Sequence, residues 1–468
     1  MTTLIVLAAL AFLIIGAYRG YSVVICAPLA ALFAVALTNP TSIAPAFSGL
    51  FMEQMVGFIK LYFPVFLLGA VFGKVIELSG FAASIVALAI RYLGKQRTIV
   101  ATVIVCAILT YGGVSTFVVA FAVYPFAAEL FRQSNIPKRL MPAVIALGAF
   151  TFSTDSLPGT PQILNIIPTS FFGTTSWAAP VLGLVGTCFT FLVGVSYLNW
   201  RRKRLALAGE GYGDPETLLN EPAQTDREHL TSAWIAILPL VVVGVANFAL
   251  TRSIPVWFGD VYSISQSVFT GLRATVEAPV KPVTAIWAVE GALLLGIVVT
   301  VVLAFSKVVA GVRDGSRTAA AGAMLATMNT ASEYGFGSVI AALPGFVAVS
   351  GALKIISDPL LNAAITVTTL AGITGSASGG VSIALGAIAK TLVENAERAG
   401  ISMEALHRVV SMAGGGMDTL PHNGAVITLL AVTGLTHRQA YADIFGITLI
   451  KTTAVLVVIA FYYATGLV

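Results

Sequence analysis

Two stretches decide the fold: Asp155-Ser156-Leu157-Pro158-Gly159-Thr160-Pro161-Gln162 and Asp418-Thr419-Leu420-Pro421-His422-Asn423-Gly424-Ala425. Each sets an acid, a hydroxyl, a leucine and a proline in the same order inside apolar sequence. Proline removes an amide donor and clashes with the preceding turn, and glycine admits dihedrals closed to other residues, so neither stretch continues a helix. Inside hydrocarbon, backbone polar groups need helix bonds unless the irregular chain lines a cavity or is buried in protein. Both stretches therefore predict broken helices, over 139–175 and 403–435. Their half-helix N-termini offer free amides and partial positive charge to an anion.

The surrounding composition is that of a membrane protein. Of 468 residues, 57% are hydrophobic and 10% charged, against roughly a quarter charged in soluble domains. The runs Trp177–Asn199, Ser232–Leu250, Val283–Phe305 and Tyr441–Leu467 are long enough to cross a core of about 30 Å, which takes about 20 helical residues. They are continuous rather than alternating, which argues against a β-barrel. The net charge of +5 sits in short loops, the pattern of cytoplasmic loops rather than of a nucleic-acid surface. Cys26, Cys106 and Cys188 fall in apolar runs without metal-ligand spacing and read as buried thiols. The start, Met1-Thr2-Thr3, has no basic n-region, so the first apolar segment reads as an uncleaved span.

Arg201-Arg202-Lys203-Arg204 opens a polar linker, 201–230, that the positive-inside rule assigns to the cytoplasm. Arg19, Arg91/Lys95/Arg97, Arg132/Lys138/Arg139, Lys307/Arg313/Arg317 and Arg438 join it there, and Thr251–Lys281 faces the other side. This map closes only if two stretches enter and return. One is 98–131, interrupted at Tyr111-Gly112-Gly113-Val114-Ser115-Thr116. The other is 360–394, interrupted between Gly375 and Ser382. Internal repetition supports the same division. Gly112-Gly113-Val114-Ser115 recurs as Gly379-Gly380-Val381-Ser382, the two opening stretches match, and Phe63-Pro64 with Lys74 matches Leu343-Pro344 with Lys354. Residues 1–200 and 231–468 thus read as repeats of five crossings each, and an odd number inverts the second. The expected fold is an all-α polytopic membrane protein of about ten transmembrane helices, two re-entrant hairpins and two broken helices. Its termini lie outside.

Four irregular segments at membrane depth predict a solute site. Gly112, Gly113, Ser115, Thr116, Ser156, Thr160, Asn165, Gly379, Gly380, Ser382, Thr419 and Asn423 are its candidate lining. Asp155 and Asp418 are intramembrane acids, which are costly and usually functional. A desolvated carboxyl favours its neutral form and can carry a proton; each can equally cap a broken helix. His422 can relay a proton beside Asp418. Lys451 can pair with an anion or an Asp, or extend its charge along the last span. Glu290 is a further acid within a span. The chain has no phosphate loop, no His-Glu-x-x-His and no Cys pairs, which disfavours an ATP-driven pump or a soluble enzyme. A cation-coupled symporter leads, with a Na⁺/H⁺ antiporter, a channel and a membrane-embedded enzyme as alternatives.

At Leu157-Pro158-Gly159-Thr160-Pro161-Gln162, at Leu420-Pro421-His422-Asn423-Gly424-Ala425-Val426-Ile427 and at Gly434-Leu435-Thr436-His437-Arg438, the chain resembles the gluconate permease (GntP-type) family of the ion transporter superfamily. The resemblance spans essentially the whole chain and is nearer the 3-hydroxybutyrate branch. It implies proton-linked uptake of small hydroxy-monocarboxylates, among them gluconate, 3-hydroxybutyrate and D-serine, without a cofactor. It also implies an elevator-type homodimer in the inner membrane. Sodium coupling occurs elsewhere in that superfamily.

Overall fold

The computed structural model describes residues 2–19, 21–93, 97–214, 218–221, 231–267, 269–271, 273–346, 356–374, 376–421 and 423–468. His422, Lys95 and Lys354 lie outside the described residues. Apart from a two-stranded antiparallel ribbon, β1 (Val261–Ile264) and β2 (Val276–Pro279), the regular structure is helical. The sequence patterning held no sign of that ribbon, which lies in the 251–281 loop.

The first half opens with α1 (Thr2–Tyr18), α2 (Val23–Thr38), α3 (Met52–Ser79) and α4 (Phe81–Leu93). A hairpin, α5 (Thr98–Tyr111) and α6 (Thr116–Gln133), follows. A broken helix in three pieces comes next: α7 (Met141–Ala149), α8 (Phe152–Asp155) and α9 (Ile163–Phe172). The half ends in α10 (Pro180–Leu207). The second half repeats the plan. Its three long helices are α11 (Ala233–Phe258), α12 (Thr284–Leu303) and α13 (Phe305–Ala342). The hairpin α14 (Pro359–Thr374) and α15 (Ala377–Arg398), the broken pair α16 (Met403–Gly415) and α17 (Gly424–Thr433), and α18 (His437–Thr465) complete it. Five helices among the described residues are long and apolar enough to cross a membrane: Pro40–Ser79, Pro180–Leu207, Ala233–Phe258, Thr284–Leu303 and His437–Thr465.

Contacts at the element ends place the two hairpins relative to one another. Thr98 Oγ1 and Ser134 Oγ are 2.7 Å apart, so the first hairpin returns to where it began. Its return lies by the linker, where the Tyr212 amide donates to Asn135 Oδ1 at 3.1 Å and Lys138 pairs with Glu221 at 2.7 Å. The second hairpin begins and ends at the far end of α18: Tyr463 donates to Asp358, and the Ser402 amide donates to the Tyr462 hydroxyl at 3.2 Å. The final spans α10 and α18 run antiparallel, joined at one end by Arg201–Asp443 and at the other by the Val181 amide on the Val468 carbonyl, 3.3 Å. The hairpins thus enter from opposite ends of the bundle, as inverted repeats require.

Several details depart from the sequence patterning. The second interruption was expected to run to Ser382, yet α15 is already helical from Ala377, so Gly379, Gly380 and Ser382 lie in its first turns. The Ser376 hydroxyl starts that helix by accepting from the Gly379 amide at 3.0 Å. A Cβ on Gly380 would run into the Ala371 backbone, so glycine allows the hairpin limbs to meet. Cys26 and Cys106 are buried, but Cys188 is exposed on α10, on a face that presents apolar side chains outward. Pro64 is inside α3, whereas Pro344 follows the end of α13, so that matched pair does not mark equivalent turns.

The linker and the β ribbon belong to opposite ends of the bundle, since α11 connects them. In a chain with Cys26, Cys106 and Cys188 replaced, Ala208→Cys and Gly271→Cys should react with an impermeant maleimide from opposite sides of sealed vesicles. Reaction of both from one side would refute the inverted arrangement.

Candidate functional site

The first break is built from residues that cannot extend α8. After Asp155, the Ser156 and Leu157 amides still reach back to the Phe152 carbonyl, at 3.1 and 2.9 Å. Pro158 and Pro161 then have no amide to give, and Gly159 adopts φ +77° with its missing Cβ against the Trp177 ring. The freed backbone groups are taken up by side chains. Tyr111 donates to the Pro158 carbonyl at 2.9 Å and Asn247 to the Gly159 carbonyl at 2.8 Å. Gln162 reaches the Thr110 and Val114 carbonyls at 2.7 and 3.2 Å, which ties the break to the turn of the first hairpin. Thr160 donates to the Ser153 carbonyl at 2.8 Å, and Asn165 donates to the Thr160 and Ser176 carbonyls at 2.9 and 2.8 Å. Thr160 and Asn165 therefore spend their polar groups on the chain itself.

The second half supplies the charges that close this break. Lys451, midway along α18, is ion-paired with Asp155 and lies 2.8 Å from Ser156 Oγ, and the Lys451 and Asp155 side chains are 0% exposed. Ser156 itself donates to Asp155 at 2.6 Å. Arg408, also fully buried, donates to the Asp155 carbonyl, to Asn165 Oδ1 at 3.0 Å and to the Ala178 carbonyl at 2.6 Å. Ser411 donates to the Asp155 and Leu164 carbonyls at 3.1 and 2.9 Å. His407 Nδ1 lies 2.6 Å from Thr174 Oγ1. Arg408 thus stands at the carbonyl ends of unwound segments, where a guanidinium's five donors are best used. Two buried cations face one fully buried carboxylate here.

The second break is more open. Asp418 and Pro421 are half-buried and Gly424 is exposed, whereas the first break is buried almost throughout. Asp418 Oδ1 accepts from the Ala377 amide at 3.3 Å and from Asn423 Nδ2 at 3.1 Å. Asn423 caps α17 by accepting from the Ala425 amide at 2.7 Å. Thr419 Oγ1 and Thr448 Oγ1 are 2.7 Å apart. Asp418 therefore sits at the start of α15 and binds the second hairpin to the second break, while Asp155 meets a lysine. The two matched acids occupy equivalent breaks with unlike partners.

The hairpin glycines face protein in this conformation. A Cβ on Gly113, which has φ +97°, would come within 2.9 Å of Leu293 and 3.4 Å of Pro161, and one on Gly112 would meet Leu240. Ser115 and Thr116 are half-buried at the same turn, and Ser382 is buried with an unpartnered hydroxyl. Glu290 is half-buried on α12, a helix that packs on α11 and α3. Arg408, His407 and Ser411 are the site residues that motif reading passes over. Their signal is a polar stripe, Glu404, His407, Arg408 and Ser411, at the spacing of one helix face in an otherwise apolar segment.

No family model matches the chain. It is 53% identical over 477 residues to the uncharacterized transporter YxjC of Bacillus subtilis (strain 168), with 100% of both chains covered. Its fold is similar to that of the Alcanivorax borkumensis YdaH transporter, described as having an unusual topology. The TM-score is 0.52 at 14% identity, over 91% of this chain and 90% of that one. It is also similar to Neisseria gonorrhoeae MtrF, described with a class of antimetabolite efflux pumps, with a TM-score of 0.50 at 14% identity over 87% and 82%. At such identities the likeness concerns the fold alone.

Removing one partner of a buried ion pair strands the other, at a cost of about 3–5 kcal/mol, whereas removing both is often nearly neutral. Lys451→Met and Asp155→Asn should each lower the melting temperature in detergent markedly, and the double variant should recover most of the loss. Additive losses in the double variant would show that the two groups do not act as a pair.

Proposed function

The chain belongs to the transporter family of Bacillus subtilis YxjC, and from that premise we propose that it takes up a small hydroxy-monocarboxylate, such as gluconate or 3-hydroxybutyrate, in symport with protons. The observation that carries the solute class is the charge balance at the first break: Lys451 and Arg408 are both fully buried, and among the described residues Asp155 is the one carboxylate ion-paired with either. An ammonium has three donors, and Asp155 and Ser156 take two of those of Lys451. A solute carboxylate suits the third. Hydroxyl and amide groups at the second break, Thr419, Thr448 and Asn423, suit a hydroxylated body. In this reading Ser156, Thr419 and Asn423 contact solute, and the hairpin turns with Gly112, Gly113, Ser115, Thr116, Gly379, Gly380 and Ser382 wall the site.

The same proposal sets the protein in the inner membrane as a homodimer, with both termini outside and the Arg201–Arg204 end of α10 in the cytoplasm. Of the two acids at the breaks, Asp418 is the half-buried one and has no ion pair with lysine or arginine among the described residues.

In proteoliposomes loaded with gluconate or 3-hydroxybutyrate, counterflow should accelerate entry of the labelled solute, and an inside-alkaline gradient should drive its accumulation. The Asp155→Asn/Lys451→Met double variant loses a charge-assisted hydrogen bond worth about 1.5–3 kcal/mol, so its apparent affinity should fall roughly ten- to hundredfold. Lack of counterflow with hydroxy-monocarboxylates would overturn the solute class. Accumulation driven by a sodium gradient alone would overturn the proton.

A further inference from the structure

One buried carboxyl belongs to neither break. Glu333 is the only charged residue between Arg317 and Lys354 in the sequence. It lies in α13, is 3% exposed, and its Oε2 has no hydrogen-bond partner. Its carboxyl occupies the space that a side chain on Gly379 would take: a Cβ there would lie 2.7 Å from Oε1 and closer still to Oε2. Glycine at 379 therefore lets the carboxyl reach the first turn of α15. Beside it, Thr330 Oγ1 and Ser378 Oγ are 3.4 Å apart.

That turn has little left to offer an anion. The Ala377 amide already goes to Asp418, the Gly379 amide to the Ser376 hydroxyl, and the Gly380 amide to the Ser376 carbonyl at 2.8 Å. No ion pair to Glu333 occurs among the described residues. On the elements packed against α13, Glu53, Lys60, Lys390, Glu394, Glu397 and Arg398 are exposed, Glu290 of α12 is half-buried, and Lys74 pairs with Glu77. The Tyr62 hydroxyl donates to the Ile167 carbonyl, and Tyr334 packs its ring on Phe58 and Phe171. A charged carboxylate without a partner in such a place is costly by several kcal/mol, and the group accepts a proton instead.

Residues 376–379 are thus gripped from two sides, by Asp418 of the broken helix and by Glu333 of the long helix. The grips differ in kind. Asp418 accepts two hydrogen bonds as a carboxylate can, while Glu333 is buried with an oxygen that has no partner, a place that suits the neutral acid. We propose that Glu333 carries the coupling proton. Its carboxylate takes the proton from water on one side, forming the O–H bond that lets it close against Gly379. It gives the proton back to water on the other side when the second hairpin leaves α13. Among the described residues the turn of the first hairpin instead meets Gly69 and Gly73 of α3.

This rests on the reading of the chain as a proton symporter, and two measurements separate the claims. Glu333→Gln holds the neutral shape, so counterflow of labelled solute should persist near the wild-type rate while accumulation under an inside-alkaline gradient collapses to equilibration. Intact accumulation overturns the assignment, as does loss of counterflow in a folded Glu333→Gln protein, which would make Glu333 a positioning residue. The second measurement needs neither a variant nor a solute. Dicyclohexylcarbodiimide, an apolar reagent for protonated carboxyls, should modify Glu333 in the wild-type protein in proteoliposomes, less as external pH rises. An unmodified Glu333 overturns the proposal even if counterflow succeeds. Absent counterflow with modified Glu333 discards the solute class and leaves the proton site standing.

Discussion

Where a helix breaks inside a hydrocarbon slab, the freed amides and carbonyls must find protein partners, since water is not there to supply them. The architecture around residues 155–162 follows from that requirement. Tyr111 comes from the first hairpin, Asn247 from α11, Gln162 from the break itself, and Arg408 and Ser411 from the second broken helix. Each is aimed at a carbonyl that an unbroken helix would have bonded internally. One proline-rich stretch thereby ties together the first hairpin, α11 and the second broken helix. The glycines work to the same end by letting backbones approach: Gly183 leaves room for the Ser156 carbonyl, and Gly415 for the Asp155 carboxylate.

The charges obey the same economy of partners. Arg408 spreads its donors over backbone carbonyls and Asn165, while Lys451 concentrates on Asp155 and Ser156. This division suits the two side chains: a planar fork serves several fixed acceptors, and a compact ammonium serves one anion closely. The second break, where Asp418 meets Ala377 and Asn423, is the more exposed of the two. The two halves thus differ in how exposed their breaks are. The second hairpin is fixed to α13 through Glu333 and Thr330 and to the break through Asp418.

Much of the fold was legible because the bilayer imposes periodic and compositional rules on sequence. Long apolar runs, basic clusters at their ends and an odd number of crossings lead to an inverted repeat without reference to coordinates. The breaks were legible for a local reason, since proline and glycine act on their own backbone whatever surrounds them. What escaped were features made by distant packing. Whether Lys451 meets an aspartate or extends its charge along the helix depends on which helix faces it, and α18 alone cannot say. Arg408 and His407 look like ordinary polar residues of a short helix until that helix is seen crossing the first break. Residues 377–382 read as irregular because of their glycines, yet Ser376 caps a helix there.

The sequence by itself therefore determined the class of fold, the inverted division and the location of both breaks. These depend on hydropathy, charge bias and backbone chemistry, which are properties of single residues and short windows. Only the tertiary structure decided the pairing of charges: Lys451 with Asp155, Arg408 with the unwound carbonyls, Asp418 with the start of α15, and Glu333 against Gly379. In a medium that cannot solvate an ion, the role of a charged group is set by its nearest neighbours, and those neighbours come from other segments, 41 residues away for Asp418 and 296 for Lys451.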